Sequence, residues 1–301
     1  MRLPLQSPAT LLLAVGALLG LNFPLGKLAR LAEVSPTLWA ALISLSVSLV
    51  LGGWLLLQRR PQPWNAQYAR YFVLTGVFCN ALPNLLILSA LLHLGSGPTS
   101  VMLTLSPMVT ALLSRLAGLR APGRLEYGGI AVGFVGALLV VLARGNGGAS
   151  ATWLWMAVGL SIPLLLGVGN VYRSLDWPQG ADETWLSVGS HAVAAVLLLA
   201  ACALTGAFDS LPRLLEIPWI VIAQMVASVL TFPLFFRLQA VGGPVLLSQI
   251  GTVAAAVGVA VGAGLLGERY PPGVWSGVLL IAVGIGLTVR AQRGRSGVRM
   301  Q

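Results

Sequence analysis

Apolar residues fill the chain in ten long blocks, at 8–29, 35–58, 68–94, 97–118, 125–143, 151–172, 183–205, 216–239, 243–266 and 272–291. Each is close to the ~20 residues of helix that cross a bilayer. Inside a block the apolar positions run too continuously for periodicity to separate helix from strand. The solvent separates them, because an open chain in hydrocarbon pairs all its backbone groups only as a helix. The joins, such as Arg59-Arg60-Pro61 and Gly145-Asn146-Gly147-Gly148, are short and carry Gly, Pro and charge; none is long enough for a soluble domain. The pattern predicts an all-α membrane protein with ten transmembrane helices.

Composition agrees. Of 301 residues 57% are hydrophobic and 9% charged, with mean hydropathy +0.88, whereas a soluble domain carries about 25% charged residues. The net charge of +10 invites a nucleic-acid reading. The cations, however, stand in ones, twos and threes between the apolar blocks, as topology signals do, so no nucleic-acid partner is expected. With the N-terminus inside, 13 of the 18 Lys and Arg fall on the cytoplasmic side and 5 opposite, which places both termini in the cytoplasm. Arginine over lysine, 17 to 1, fits a GC-rich bacterial genome and hence a bacterial inner membrane. Arg2 followed by an apolar run mimics a signal peptide. No small-x-small cleavage site precedes a polar start, so the segment is expected to stay as the first span.

The blocks also repeat. Gly97-Pro98 opens the fourth and Gly243-Pro244 the ninth, 146 residues later. Gly129 and Gly136 recur 148 later as Gly277 and Gly284, and Asn22 recurs 148 later as Asn170, each Asn followed by a cation, Lys27 and Arg173. The chain divides into halves 1–147 and 148–301 of five spans each. Five is odd, so the second half enters the membrane inverted, the arrangement of many secondary transporters, which bind substrate between the halves.

The stretches "LLGLNFPLGK" closing the first block, "LTLSPMVTALLSRLAG" (103–118) and "GAGLLGERYPPGVWSGVLLIAVGIGL" (262–287) resemble an EamA-type permease of the drug/metabolite transporter superfamily. The resemblance implies ten spans in two inverted five-helix repeats, no cofactor, and export of small metabolites such as amino acids by alternating access at the interface of the repeats. Within the superfamily the alternatives are an exporter of drugs or cationic compounds and a lipid-carrier flippase. The chain departs from strict internal symmetry: Leu119 stands where the second half has Glu268, and Val253 where Pro107 would repeat.

A polar side chain at bilayer depth is costly unless it faces another helix or a watery cavity. By that rule the candidates for substrate binding are Asn22, Asn80, Asn84, Thr104, Ser106, Asn170, Gln224, Ser228, Ser248 and Gln249. The hydroxyls have a second explanation, since Ser and Thr also bond their own helix or a neighbouring one. Prolines 24, 83, 107 and 233 release backbone carbonyls that a cavity or a polar substrate can take up. Lys27 is expected at the external face and Arg173 at the cytoplasmic face, either steering an anionic group or anchoring the helix ends. Gly129/Gly133, Gly258/Gly262 and Gly273/Gly277 form close-approach faces, suited to tying the repeats together or to a homodimer contact.

All eight carboxylates fall at or near span ends, so coupling to protons through a buried acid is not expected. Cys79 and Cys202 lie in apolar blocks and are expected as core residues, with no metal spacing. His191 is expected as a bonded core histidine. Ser190 and His191 are sequence neighbours that project about 100° apart on a helix, so no catalytic dyad and no enzyme is expected. Among mid-span rings only Phe78, Phe134 and Phe232 are available, which disfavours aromatic substrates.

Overall fold

The computed structural model describes residues 7–60, 65–94, 102–119, 122–144, 153–265, 267 and 269–296. They form helices and turns, with no strand among the described residues. In chain order the helices are α1 (Pro8–Gly20), α2 (Asn22–Leu31), α3 (Pro36–Ser46), α4 (Gly52–Leu57), α5 (Ala66–Thr75), α6 (Leu82–Leu94), α7 (Ser106–Leu116), α8 (Arg124–Arg144), α9 (Trp153–Leu175), α10 (Glu183–Thr205), α11 (Pro218–Ser248), α12 (Ile250–Leu265) and α13 (Pro272–Ser296). Two π-helical turns, Val47–Leu51 and Gly76–Ala81, continue α3 into α4 and α5 into α6.

Among the described residues, seven helical segments are long and apolar enough to cross a membrane: Pro8–Leu31, Pro36–Leu57, Ala66–Ile87, Trp153–Leu175, Glu183–Thr205, Pro218–Ser248 and Pro272–Ala291. They match seven of the ten expected blocks. Of the other three, 125–143 is helix α8, 97–118 is described from Met102 and contains α7, and 243–266 contains the shorter apolar helix α12. The expected Gly97-Pro98 start of the fourth block lies outside the described residues.

Local chemistry explains where the long helices break. Pro24 has no N–H to donate to Gly20, and the first span parts into α1 and α2 at Leu21. Pro83 likewise cannot close the turn before it, and that turn, Gly76–Ala81, widens to π. Pro107 stands at the start of α7, just after a break at Thr104-Leu105. At Gly243 the backbone takes φ 72°, ψ −179°, open in practice to glycine alone, and the chain turns back from the eighth block into the ninth.

Outer faces are apolar where water would forbid it: Leu57, Leu204 and Leu215 are each more than 80% exposed. Lipid is the solvent that suits them. Inside, α8 and α13 make the most extensive helix pairing, α1 packs on α11 and α12, α9 on α6 and α7, and α10 on α3 and α5. A Cβ added to Gly129 would stand 2.6 Å from Gly284 O, and one added to Gly136 2.6 Å from Gly277 O. The glycines foreseen as scaffold or dimer face are therefore used within the chain.

Candidate functional site

The helix breaks converge on one place. A cavity of about 710 Å³ opens between the helices, and its wall is drawn from both halves of the chain. Asn22, Asn80, Asn84, Thr104, Ser106, Asn170 and Ser248 line it, as expected from their depth in the blocks. Gln224, Ser228 and Gln249 do not. Gln224 and Ser228 are buried behind the wall, where Gln224 Nε2 donates to Ser228 Oγ (2.9 Å) and to Asn22 Oδ1. With its oxygen taken, Asn22 has its NH2 left to offer the cavity. Gln249 sits at the break between α11 and α12, beside Thr104 and Thr252 in a separate crevice. Ser228 and Ser248 also bond their own helix, to Gln224 O and Val245 O, which is the alternative foreseen for hydroxyls.

Asn80 lies in the π turn ahead of Pro83, and its Nδ2 is buried with no partner. Asn84, one turn on, donates to Asn80 O at 2.7 Å. The wider turn places Asn80 on the cavity wall, with its unpartnered Nδ2 buried, although its neighbours are packed.

Arg173 corrects the sequence reading. It was expected at a membrane face; it is 3% exposed and lines the cavity. One turn of α9 separates it from Asn170, whose Oδ1 accepts from Arg173 Nη2 at 2.8 Å. Asn170 is held in turn by Thr110 Oγ1 (3.4 Å) and by Gln239 Nε2 on its carbonyl (3.1 Å). The guanidinium stacks 4.8 Å from the Phe235 ring centroid, and its Nε has no hydrogen-bond partner. Among the described residues Arg173 forms no ion pair, and no Asp or Glu lines the cavity. The signal for it in the sequence was its i+3 spacing from Asn170.

His191 lines the cavity too, which makes it more than a core residue. Its ring packs edge-on against Phe232 at 3.9 Å, Nδ1 meets Ser44 Oγ at 3.3 Å, and Nε2 is buried without a partner. Ser190, its sequence neighbour, bonds Thr75 instead. Ser44 was absent from the expected site, since nothing in its own block distinguishes it from Ser46 or Ser48, which bond their own helix. The Ser44–His191 contact lacks a third group to orient the imidazole, because Nε2 has no partner. Of the three rings counted mid-span Phe232 lines the cavity, and Phe23, Phe235 and Tyr270 add to it, so aromatic lining is richer than that count suggested. Cys79 is buried as expected and also touches the cavity.

The cavity runs from exposed Lys27 to buried Arg173. Close to Arg173 an aromatic cluster of Tyr71, Tyr172, Trp177 and Phe236 fills the space. Beyond it lie ion pairs that tie one segment to another: Arg70 with Asp176, Arg60 with Asp182 (3.1 Å) and Arg237 with Glu183 (2.8 Å). Tyr172 OH also donates to Asp176. Burial would raise the Asp176 pKa, but hydrogen bonds from Arg70 and Tyr172 outweigh it and hold the carboxyl below its usual range. At the opposite end Arg213 joins Glu33 and Glu216, both at 3.0 Å.

Comparison with known proteins accords with this geometry. A protein solved by crystallography shares the fold with a TM-score of 0.70 over 94% of this chain and 98% of its own, at 16% identity. No curated protein matches the sequence. Residues 6–142 match the EamA-like transporter family. That stretch, a little under half of the chain, is similar to the EamA-like transporter family, a match consistent with an EamA-type permease of the drug/metabolite transporter superfamily.

Proposed function

We propose that the protein exports small metabolites, amino acids or related compounds, from a bacterial cell by exposing the central cavity alternately to the two sides of the inner membrane. The observation that carries this reading is the cavity itself: about 710 Å³, large enough for a small metabolite, and lined by amides and hydroxyls from both halves of the chain. Two inverted units, 1–147 and 148–301, are supported by how the glycines pair. Gly129 meets Gly284 and Gly136 meets Gly277. Gly284 lies 148 residues beyond Gly136 and Gly277 148 beyond Gly129, so each glycine meets the counterpart of the other, the reciprocal pattern that a two-fold axis in the membrane plane produces. In this reading both termini are cytoplasmic, the cluster around Tyr71 and Asp176 closes the inner side, and the Lys27 end faces out.

The lack of any Asp or Glu among the described lining residues weighs against the cationic-drug alternative, since a buried cation needs a partner charge. The test is reconstitution of the full chain in liposomes with labelled amino acids, nucleosides and cationic drugs. Saturable counterflow of an amino acid is the expected outcome. Flux confined to cationic drugs, or none for any compound, would reject the reading.

A further inference from the structure

Three buried nitrogens on the cavity wall have no hydrogen-bond partner: Arg173 Nε, Asn80 Nδ2 and His191 Nε2. All three residues line the same cavity and are linked through its wall. Arg173 lies against Phe235, Phe235 against Phe232 (6.1 Å between centroids), and Phe232 against His191, while Asn80 follows Cys79, whose Sγ contacts α9 at Gly169, one turn before Arg173. In the tautomer in which Ser44 Oγ donates to Nδ1, the imidazole carries its hydrogen on Nε2, and all three groups are donors.

Burying an unpaired donor is costly, and burying a charge without a counter-charge more so. A purely structural arginine would be answered by carbonyls or a carboxylate, as Arg237 is by Glu183 at 2.8 Å. Arg173 instead keeps Nε open beside a cavity in which no described side chain is acidic. The neighbours it does have orient it: Asn170, itself fixed by Thr110 and Gln239, holds Nη2, and Phe235 holds the guanidinium plane. A rigidly held guanidinium with an unpartnered Nε–H beside a cavity is suited to receive an oxyanion.

We propose, building on the transporter reading above, that Arg173 binds the carboxylate of the transported compound, with Asn80 and His191 as the other donors. The substrate class is then a monocarboxylate or an amino acid held by its carboxylate, and net cations are excluded. A doubly charged phosphate is disfavoured, because a single buried guanidinium leaves one charge unmatched.

Binding to the full-length protein in detergent at pH 7 tests this with matched pairs: 4-methylpentanoate against 4-methylpentanamide, 3-phenylpropanoate against its amide, leucine, and inorganic phosphate. The expected result is that each acid binds about tenfold or more tighter than its amide. In R173Q that gap falls below about twofold with amide affinity unchanged, and R173K, which keeps the charge without the planar fork, falls between. An equal affinity for acid and amide in the native protein overturns the proposal. So does a gap that survives R173Q, an R173Q that weakens acid and amide alike, phosphate binding tighter than every acid, or no acid binding at all. Should R173Q fail to fold, R173K decides: native acid preference in it counts against the proposal, and a reduced one supports it. Flux measured on the same panel separates the two readings. Acid binding without flux rejects transport alone, whereas flux indifferent to the carboxylate rejects the Arg173 assignment alone.

Discussion

Gly136 and Gly277 face each other so closely that a Cβ on either would stand 2.6 Å from the other's carbonyl oxygen. The approach is reciprocal, and Gly129 repeats it with Gly284 further along α8 and α13. Without a hydrophobic drive between helices in lipid, such backbone proximity is what dispersion and small side chains supply. Gly277→Leu should lower stability in detergent by about 1–3 kcal/mol, the usual penalty for overpacking. A thermal or denaturant midpoint equal to the native one would show that the two helices do not meet in this way.

Asn80 separates stability from function. Its Nδ2 is buried and unpartnered, so Asn80→Leu removes an unsatisfied donor. The variant should be as stable as the native protein or up to about 1 kcal/mol more so, yet transport should weaken roughly tenfold in KM, since a substrate hydrogen bond is lost. Parallel melting curves and counterflow assays check both halves of this expectation; a variant that is destabilised and transports normally contradicts it.

Gly243 turns the chain between the eighth and ninth blocks with φ 72° and ψ −179°. No atom stands within 4 Å of an added Cβ, so space is not the constraint and conformation is. Gly243→Ala should cost about 1–3 kcal/mol through backbone strain alone. Measured by melting temperature, an alanine variant as stable as the native chain would mean that the turn is not built on that dihedral.

Asp176 couples stability to pH at one end of the cavity. Its folded-state pKa is depressed, the Arg70 and Tyr172 hydrogen bonds prevailing over burial. The stabilisation is therefore full above the unfolded-state value of about 3.9 and is lost as pH falls through the lower folded-state value. Asp176→Asn should melt below the native protein at pH 7, and the two should converge as acidification protonates the native carboxyl. A difference that persists unchanged in acid would assign the effect to packing instead of charge.

How much of this was legible beforehand differs between fold and site. Each of the seven segments apolar and long enough to cross a membrane overlaps a block read from hydropathy, and Pro218–Ser248 runs on from the eighth block into the ninth. The amide and proline positions led to Asn22, Asn80, Asn84 and Asn170 on the cavity wall. Arg173 was read as an anchor or an anion-steering group at a helix end, and its burial on the cavity wall went unforeseen, because hydropathy carries no information about which way α9 faces. Ser44 and His191 were missed as a pair because 147 residues separate them, a distance only packing closes. Gln224 and Gln249 looked like wall residues, and their amides turned instead toward Asn22 and a separate crevice.

Sequence alone determined the solvent, the positions of the helices and the places where proline and glycine interrupt them. All three follow from local chemistry: apolar length against bilayer thickness, missing N–H groups and a forbidden dihedral. Only the tertiary structure decided which polar groups share a cavity, and which of them keep a donor free within it. Hydrogen-bond satisfaction is a relation between helices, and neighbours distant along the chain determine whether a buried arginine is answered or left open.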